Sequence, residues 1–126
     1  MRLLVCGGRN FEARNTVFRV LDLVHKKRGI TLVIHGDATG ADRLGRDWAQ
    51  ARGIGHMAFP ADWETHGRKA GIVRNQLMLD VTSPDGVVAF PGGRGTMDMM
   101  NRAEAAGIKV WRPLDTLSIL REWGQE

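Results

Sequence analysis

The sequence predicts an α/β domain in which helices cover both faces of a parallel sheet of about five strands. Five short apolar runs alternate along the chain with segments of helical periodicity, an alternation typical of parallel sheets. Glycine-rich turns follow the first and the fourth of these runs. With 126 residues the chain has the length of one domain, and we assign residues 1–126 to it.

The predicted strands are the apolar runs, each followed by glycine or polar residues. They cover residues 2–6, 31–34, 55–59, 86–90 and 108–111. Sheets of this class commonly have the strand order 3-2-1-4-5, which places the first and fourth strands side by side. The expected architecture is therefore a Rossmann-like three-layer domain with this strand order.

The predicted helices lie between the strands. The first is indicated by apolar residues spaced i, i+3, i+4 and i+7, namely Val17, Val20, Leu21 and Val24. It ends at Gly29, and the others are expected at residues 41–52, 68–81, 97–106 and 116–123. Residues 60–67 are predicted to form a polar loop. In the helix at 68–81 the apolar positions are Ile72, Val73, Leu77 and Leu79.

The expected ligand position is the point where the winding of the sheet reverses. Ligands of open α/β sheets bind there, outside the carboxyl ends of the strands. Gly7 and Gly8 follow the first strand, and Gly92 and Gly93 follow the fourth. The sequence therefore predicts two glycine-rich loops facing each other at this position.

The loop after the fourth strand has the composition of a phosphate cradle. It comprises Pro91, Gly92, Gly93, Arg94, Gly95 and Thr96. Glycines let backbone N–H groups approach an anion, and the helix that follows adds the positive end of its dipole. The alternative is a tight turn that binds nothing. If the loop binds phosphate, replacing Gly93 with a β-branched residue should weaken ligand binding more than replacing Arg94 with alanine. The reason is that binding requires the loop to keep its backbone conformation.

Several segments resemble those of a known superfamily. The segment PGGRGTMDM, residues 91–99, resembles the PGGxGTxxE signature of the SLOG superfamily. This superfamily includes the Lonely Guy cytokinin-activating phosphoribohydrolases and the DNA-processing protein A group. The segment RNQLM, residues 74–78, is similar to the Arg-Lys-x-x-Met helix of the Lonely Guy enzymes. CGGR, HGDATGAD and the stretch PADWETHGRKAGIVRNQLM resemble a bacterial and phage branch of the same superfamily.

This resemblance implies a phosphorylated nucleotide ligand and two candidate catalytic residues. The motif arginine falls on Arg74 and the motif glutamate on Asp98, which is one methylene shorter; the motif lysine is replaced by Asn75. In the Lonely Guy enzymes the motif arginine and glutamate act on a nucleoside 5′-monophosphate and cleave its N-glycosidic bond. A carboxylate beside the ribose would stabilise the positive charge of that transition state. Asp98 is explained equally well as an acid that stabilises the helix dipole.

Further candidate ligand contacts follow the first two strands and lie in the long loop. Arg9 follows Gly8 and should contact phosphate, and the alternative is a surface salt bridge. The candidates after the second strand are His35, Gly36, Asp37, Thr39, Gly40 and Asp42. Gly40, at a helix start, suits a second anion or a ribose, whereas Asp42 is explained equally well as a helix cap. In the long loop Asp62 and Trp63 are candidates, and Trp63 would either stack on a base or anchor the loop by packing.

Composition restricts the remaining possibilities. The net charge of +4 favours anionic partners, and the single cysteine, Cys6, excludes an internal disulfide. The four histidines show no metal-ligand spacing, so we expect neither a metal nor a resident cofactor. No segment has the length of a membrane span, which indicates a cytoplasmic protein.

Three functions are compatible with these observations. The first is a nucleotide-type ligand binder that acts as a sensor or sequestering protein, the second is a nucleoside 5′-monophosphate phosphoribohydrolase, and the third is a DNA-binding module. The resemblance also implies a homo-oligomer, for which Met97, Met99, Met100 and the helix with Trp123 are the candidate contact residues.

Overall fold

A computed structural model describes residues 1–114, so the predicted helix at 116–123 lies outside the described residues. The strands are β1 (Arg2–Cys6), β2 (Leu32–His35), β3 (Gly55–Ala58), β4 (Gly86–Ala89) and β5 (Val110–Trp111). They form one sheet in the order β3-β2-β1-β4-β5, and every neighbouring pair is parallel. The predicted strand order is therefore confirmed.

The helices connect the strands in the predicted alternation. They are α1 (Arg14–Arg28), α2 (Ala41–Ala51), α3 (Trp63–His66), α4 (Ala70–Thr82) and α5 (Arg94–Ala105), and a 3-10 turn at Gly67–Lys69 joins α3 to α4. None of these described helices combines the length and apolar character that crossing a bilayer requires.

The core lies on both faces of the sheet, which confirms the three layers. Side chains alternate along β1, so Leu3 and Val5 pack against one face while Leu4 and Cys6 pack against the other. The first face is covered by α1 and α2, with Trp48 fully buried at its centre. The second is covered by α4 and α5 through side chains that include Met78, Met99 and Met100.

Most boundaries differ from the sequence prediction by one or two residues, and two differences bear on the site. The loop predicted at 60–67 contains α3, because Asp62 caps this short helix by accepting a hydrogen bond from the Thr65 amide at 3.1 Å. Helix α5 begins at Arg94 instead of residue 97, so Arg94, Gly95 and Thr96 form its first turn. The second half of the predicted glycine-rich loop at 91–96 is thus helical.

Helix α4 packs through a different face from the predicted one. Its buried side chains are Ala70, Asn75, Met78, Leu79 and Thr82. Of the predicted apolar positions only Leu79 is buried, and Ile72, Val73 and Leu77 are exposed together with Val81. On α5, Met97 is exposed while Met99 and Met100 fill the core, so Met97 alone of these three methionines remains available for contacts with another chain.

The packing of α2 on β1 depends on Gly45. A β-carbon at this position would lie 2.9 Å from Cγ1 of Val5 and 3.1 Å from its Cβ. Gly45→Ala should therefore lower the free energy of unfolding by about 1 to 2 kcal/mol, because overpacking outweighs the better helix propensity of alanine. Urea denaturation measures this value.

The matched control is Gly71→Ala in α4, where the nearest atoms to a new β-carbon lie 4.0 Å away. This variant should be as stable as the wild type or slightly more stable. Equal effects of the two substitutions would contradict the close packing at Gly45.

Candidate functional site

Three loops meet at the carboxyl edge of the sheet through backbone contacts around Gly8. The Gly8 amide donates to the carbonyl of Pro91 at 2.8 Å, which joins the loop after β1 to the loop after β4. The Gly8 carbonyl accepts from the amides of Phe11 and Ala41, both at 3.2 Å, and the second bond reaches the start of α2. Both polar groups of one residue therefore hold the three loops together.

Two further glycines make this approach possible. A β-carbon at Gly92 would collide with the Thr96 hydroxyl and lie 2.7 Å from the Gly8 nitrogen. At Gly40, which has φ of 83°, it would collide with the Gly8 carbonyl oxygen. We call Gly8, Gly40 and Gly92 the glycine junction.

A cleft of about 620 Å³, the main cleft, opens beside the junction. Predicted site residues that line it are Gly7, Gly8, Arg9, Asp42, Trp63, Arg74, Asn75, Gly93, Arg94, Gly95, Thr96 and Asp98. Its charged lining residues are four arginines (Arg9, Arg68, Arg74 and Arg94) and two aspartates (Asp42 and Asp98). The balance of charge favours an anionic occupant.

The first turn of α5 faces this cleft. Gly93 is its N-cap residue and supplies no side chain, and the turn contains no acidic residue. The first amides of an α-helix have no partner within the helix, so those of Arg94, Gly95 and Thr96 can donate to an anion. Asp98 lies beyond the first turn, where an effect on the helix dipole is small.

Arg74 lies at the floor of the main cleft and is held by backbone carbonyls. Its Nη1 donates to the carbonyl of Gly36 at 2.6 Å and to that of Phe59 at 3.4 Å. Its Nε donates to the side-chain oxygen of Asn75 at 3.1 Å. Burial lowers the pKa of Arg74, and the nearby Asp42 opposes that shift. Arg74 therefore ties the ends of β2 and β3 to α4 and also lines the cleft.

Asp98 lines the same cleft, but its carboxylate has protein partners. Nε of Arg102 donates to both of its oxygens, at 2.9 and 3.1 Å. The side-chain nitrogen Nδ2 of Asn75 donates to Oδ2 of Asp98 at 3.0 Å and to the carbonyl of Gly95 at 3.2 Å. Asn75 therefore links both candidate catalytic residues to the first turn of α5.

Asp42 is a buried carboxylate at the cleft floor. Its Oδ2 accepts from the amides of Gly36 at 3.1 Å and Ala38 at 3.4 Å, which fixes the loop after β2. Burial raises its pKa to about 6, against the lowering effects of these amides and of Arg74. Burial also raises the pKa of Cys6, which lines the cleft beside it, so this thiol is neutral.

A second opening of about 290 Å³, the side cleft, adjoins the main cleft. It is lined by Arg9, Gly36, Asp37, Ala38, Thr39, Arg43, Pro60, Ala61, Trp63 and Arg74. At the boundary the guanidinium of Arg9 lies over the indole of Trp63, 5.3 Å from the ring centroid. Half of the surface of Trp63 is exposed, so its ring is available to an occupant of either cleft.

Some predicted contacts lie away from both clefts. His35 is completely buried, its Nδ1 accepts from the Asp37 amide, and its Nε2 lies 3.1 Å from Nδ1 of His56. Asp62 is occupied as the cap of α3. Within residues 1–114, no three His, Cys, Asp or Glu side chains are grouped as metal ligands.

Several residues that line the main cleft are not predicted from the sequence, chiefly Cys6, Ala38 and Arg68. The position of Cys6 at the carboxyl end of β1 was a usable signal, because ligands bind beyond those strand ends. Arg68 precedes α4 in the 3-10 turn, and no local pattern indicated that this turn faces the cleft.

A parallel sheet in this order, with a cleft where the winding reverses, defines a Rossmann-like α/β protein. The sequence model of the protein family described as YspA, cpYpsA-related SLOG matches residues 1–66. The Gene 61 protein of Mycobacterium phage D29 is 41% identical over 117 residues, which cover 86% of this chain and 93% of the phage protein. The chain belongs to the YspA, cpYpsA-related SLOG family, which confirms the resemblance. Membership of this family suggests a nucleotide-related role.

His35 and Asp42 give the fold opposite dependences on pH. Burial lowers the pKa of His35 to about 4, against about 6.5 in an unfolded chain. Its contribution to stability is therefore lost as the pH falls from 6.5 to 4. The raised pKa of Asp42, about 6, compares with about 3.9 when unfolded. Its contribution is lost as the pH rises through the same range.

Substitution should separate the two contributions. The quantity to follow is the unfolding free energy of the variant minus that of the wild type. For Asp42→Asn this difference should increase by about 2 to 3 kcal/mol from pH 4 to pH 6.5. For His35→Gln it should decrease by a similar amount over the same range. Urea denaturation at a series of pH values measures both differences. Differences that stay constant with pH would show that neither group titrates as described.

Proposed function

We propose that the protein binds a nucleotide or nucleotide-derived phosphorylated ligand in the main cleft and acts as a sensor or sequestering protein. The observation that carries the proposal is the exposed first turn of α5, which lines the cleft and follows the loop that bonds to Gly8 through Pro91. Backbone amides at such a turn bind phosphate without a dedicated side chain. The arginines that line the cleft complement the charge.

The size and surface of the cleft support a nucleotide over inorganic phosphate. About 620 Å³ accommodates a ligand of nucleotide size. The exposed indole of Trp63 stands at the rim, where a base can stack on it. In this proposal the phosphate lies at Gly93 to Thr96 and the base lies toward Trp63.

A phosphoribohydrolase activity is the second candidate, because Arg74 and Asp98 line the same cleft. We place binding first because the Asp98 carboxylate is occupied by Arg102 and Asn75. A carboxylate that acts on the ribose would have to give up part of these contacts. The chemistry would be hydrolysis of the N-glycosidic bond of a nucleoside 5′-monophosphate, which releases the free base.

A panel of nucleoside 5′-monophosphates separates the two candidates. Isothermal titration calorimetry should show saturable binding of at least one member, and chromatography of the same mixtures should show no free base. Release of base that is abolished in Asp98→Asn would establish the hydrolase instead. Binding to DNA oligonucleotides alone, with a steep dependence on salt, would favour the DNA-binding alternative.

Substitutions at Gly92 and Gly93 test the position of the phosphate. Among residues 1–114, no atom outside the adjacent residues lies within 4 Å of a β-carbon built at Gly93, whereas Gly92 has no free space. The backbone constraint that the sequence placed at Gly93 therefore belongs to Gly92. Gly93→Val should keep the wild-type stability within about 1 kcal/mol and weaken nucleotide binding by about tenfold or more, because its side chain enters the cleft.

Gly92→Ala should lower both stability and binding, since the loop must move away from Gly8. Arg94→Ala is the matched control in the same turn and should weaken binding less than Gly93→Val. Calorimetry and urea denaturation give the two readouts. Unchanged nucleotide affinity in Gly93→Val would remove the first turn of α5 as the phosphate position.

We further propose that the chain forms a homo-oligomer through the exposed face of α4. Val73, Leu77 and Val81 recur every four residues on this helix and are all exposed. Leu77→Glu should reduce the mass measured by light scattering to that of one chain, while Gln76→Glu, a neighbouring exposed substitution, should leave it unchanged. A wild-type mass equal to one chain would refute the proposal.

A further inference from the structure

The side cleft has features of a binding site that the proposed function does not use. We propose that it holds a second anionic group of the nucleotide whose first phosphate binds at α5. The favoured ligand is therefore a nucleotide that carries its two phosphates at separate positions, because the adjacent phosphates of a diphosphate would both lie at the first turn of α5. This inference rests on the proposed function and specifies its ligand class.

The two clefts are continuous. Arg9, Ala38, Trp63 and Arg74 line both, so one occupant can extend from the main cleft into the side cleft without leaving the protein surface. Between the clefts stands the stacked pair of Arg9 and Trp63. The Arg9 guanidinium thus lines the path of a ligand that spans the boundary.

The side cleft is positively charged. Arg9, Arg43 and Arg74 line it together with one acid, Asp37. Nε of Arg43 lies 3.6 Å from Oδ1 of Asp37, and the side chain of Arg43 is 46% exposed. Even with Asp42 beside Arg74, the guanidinium groups outnumber the carboxylates among the described residues here, and an anion entering the cleft would improve the balance.

Of the three arginines that line the side cleft, Arg43 does not line the main cleft, whereas Arg9 and Arg74 belong to both. Thr39, which is exposed on the same wall, adds a hydroxyl donor. A guanidinium and a hydroxyl are suitable partners for phosphate oxygens. A nucleotide with one phosphate cannot occupy this position and the first turn of α5 at once.

Helix α2 offers a matched control for Arg43. Arg46 lies one turn further along and approaches the same Oδ1 of Asp37, at 4.0 Å. It does not belong to the residues described as lining either cleft. Arg46 also donates to Oδ1 of Asp47 at 3.0 and 3.2 Å. Arg43→Gln and Arg46→Gln therefore each remove one positive charge near Asp37, and they differ in their access to the side cleft.

The test is calorimetric titration of the wild type and both variants with AMP, ADP and adenosine 3′,5′-bisphosphate. In the wild type, the bisphosphate should bind about tenfold more tightly than AMP, and ADP, whose phosphates are adjacent, should gain less than the bisphosphate. This ratio of affinities should fall close to one in Arg43→Gln and persist in Arg46→Gln.

Measurable binding of AMP with no gain from a second phosphate would overturn the inference and leave the proposed function intact. Equal loss of the gain in both variants would overturn it as well, because the effect would then follow net charge. Failure of all three nucleotides to bind would overturn the inference together with the proposed function.

Discussion

The architecture of the site depends on the two hydrogen-bonding groups of Gly8. Its amide bonds to the loop after β4, and its carbonyl bonds to the start of α2. These contacts require the backbones to approach so closely that β-carbons at Gly40 and Gly92 are excluded. The parallel sheet brings the three loops to one edge, but the Gly8 contacts decide their spacing. That spacing in turn places the first turn of α5 beside the loop that carries Arg9.

Much of the fold was predictable because its signals are local. The strands β1, β2 and β4 carry short apolar runs, and the turns after β1 and β4 are marked by glycine. The face through which α4 packs was not predictable in this way. This helix carries apolar residues on two sides, with Met78 and Leu79 on one and Val73 and Leu77 on the other. Periodicity alone cannot decide between two such faces, and the buried Asn75 makes the packed side less apolar than the exposed one.

The candidate site was only partly predictable from the sequence. It placed Arg74 and Asp98 near the glycine loop, and the structure brings both to the main cleft. Their partners could not be read from local patterns. Gly36 lies 38 residues before Arg74, and this contact exists only because β2 and α4 meet in the folded chain. The bond from Arg102 to Asp98 has the i, i+4 spacing of a helix and was visible in principle.

The glycine junction has a consequence for how the protein can diversify. The contacts that fix the three loops are made by backbone atoms, so they persist when neighbouring side chains change. Residues at the rim, such as Arg43, Trp63 and Arg94, do not contribute to the junction and are free to vary under selection for a different guest. A scaffold of this kind separates the mutations that alter ligand preference from those that endanger folding. Members of one family could therefore share the glycine junction and differ in the residues that line the clefts.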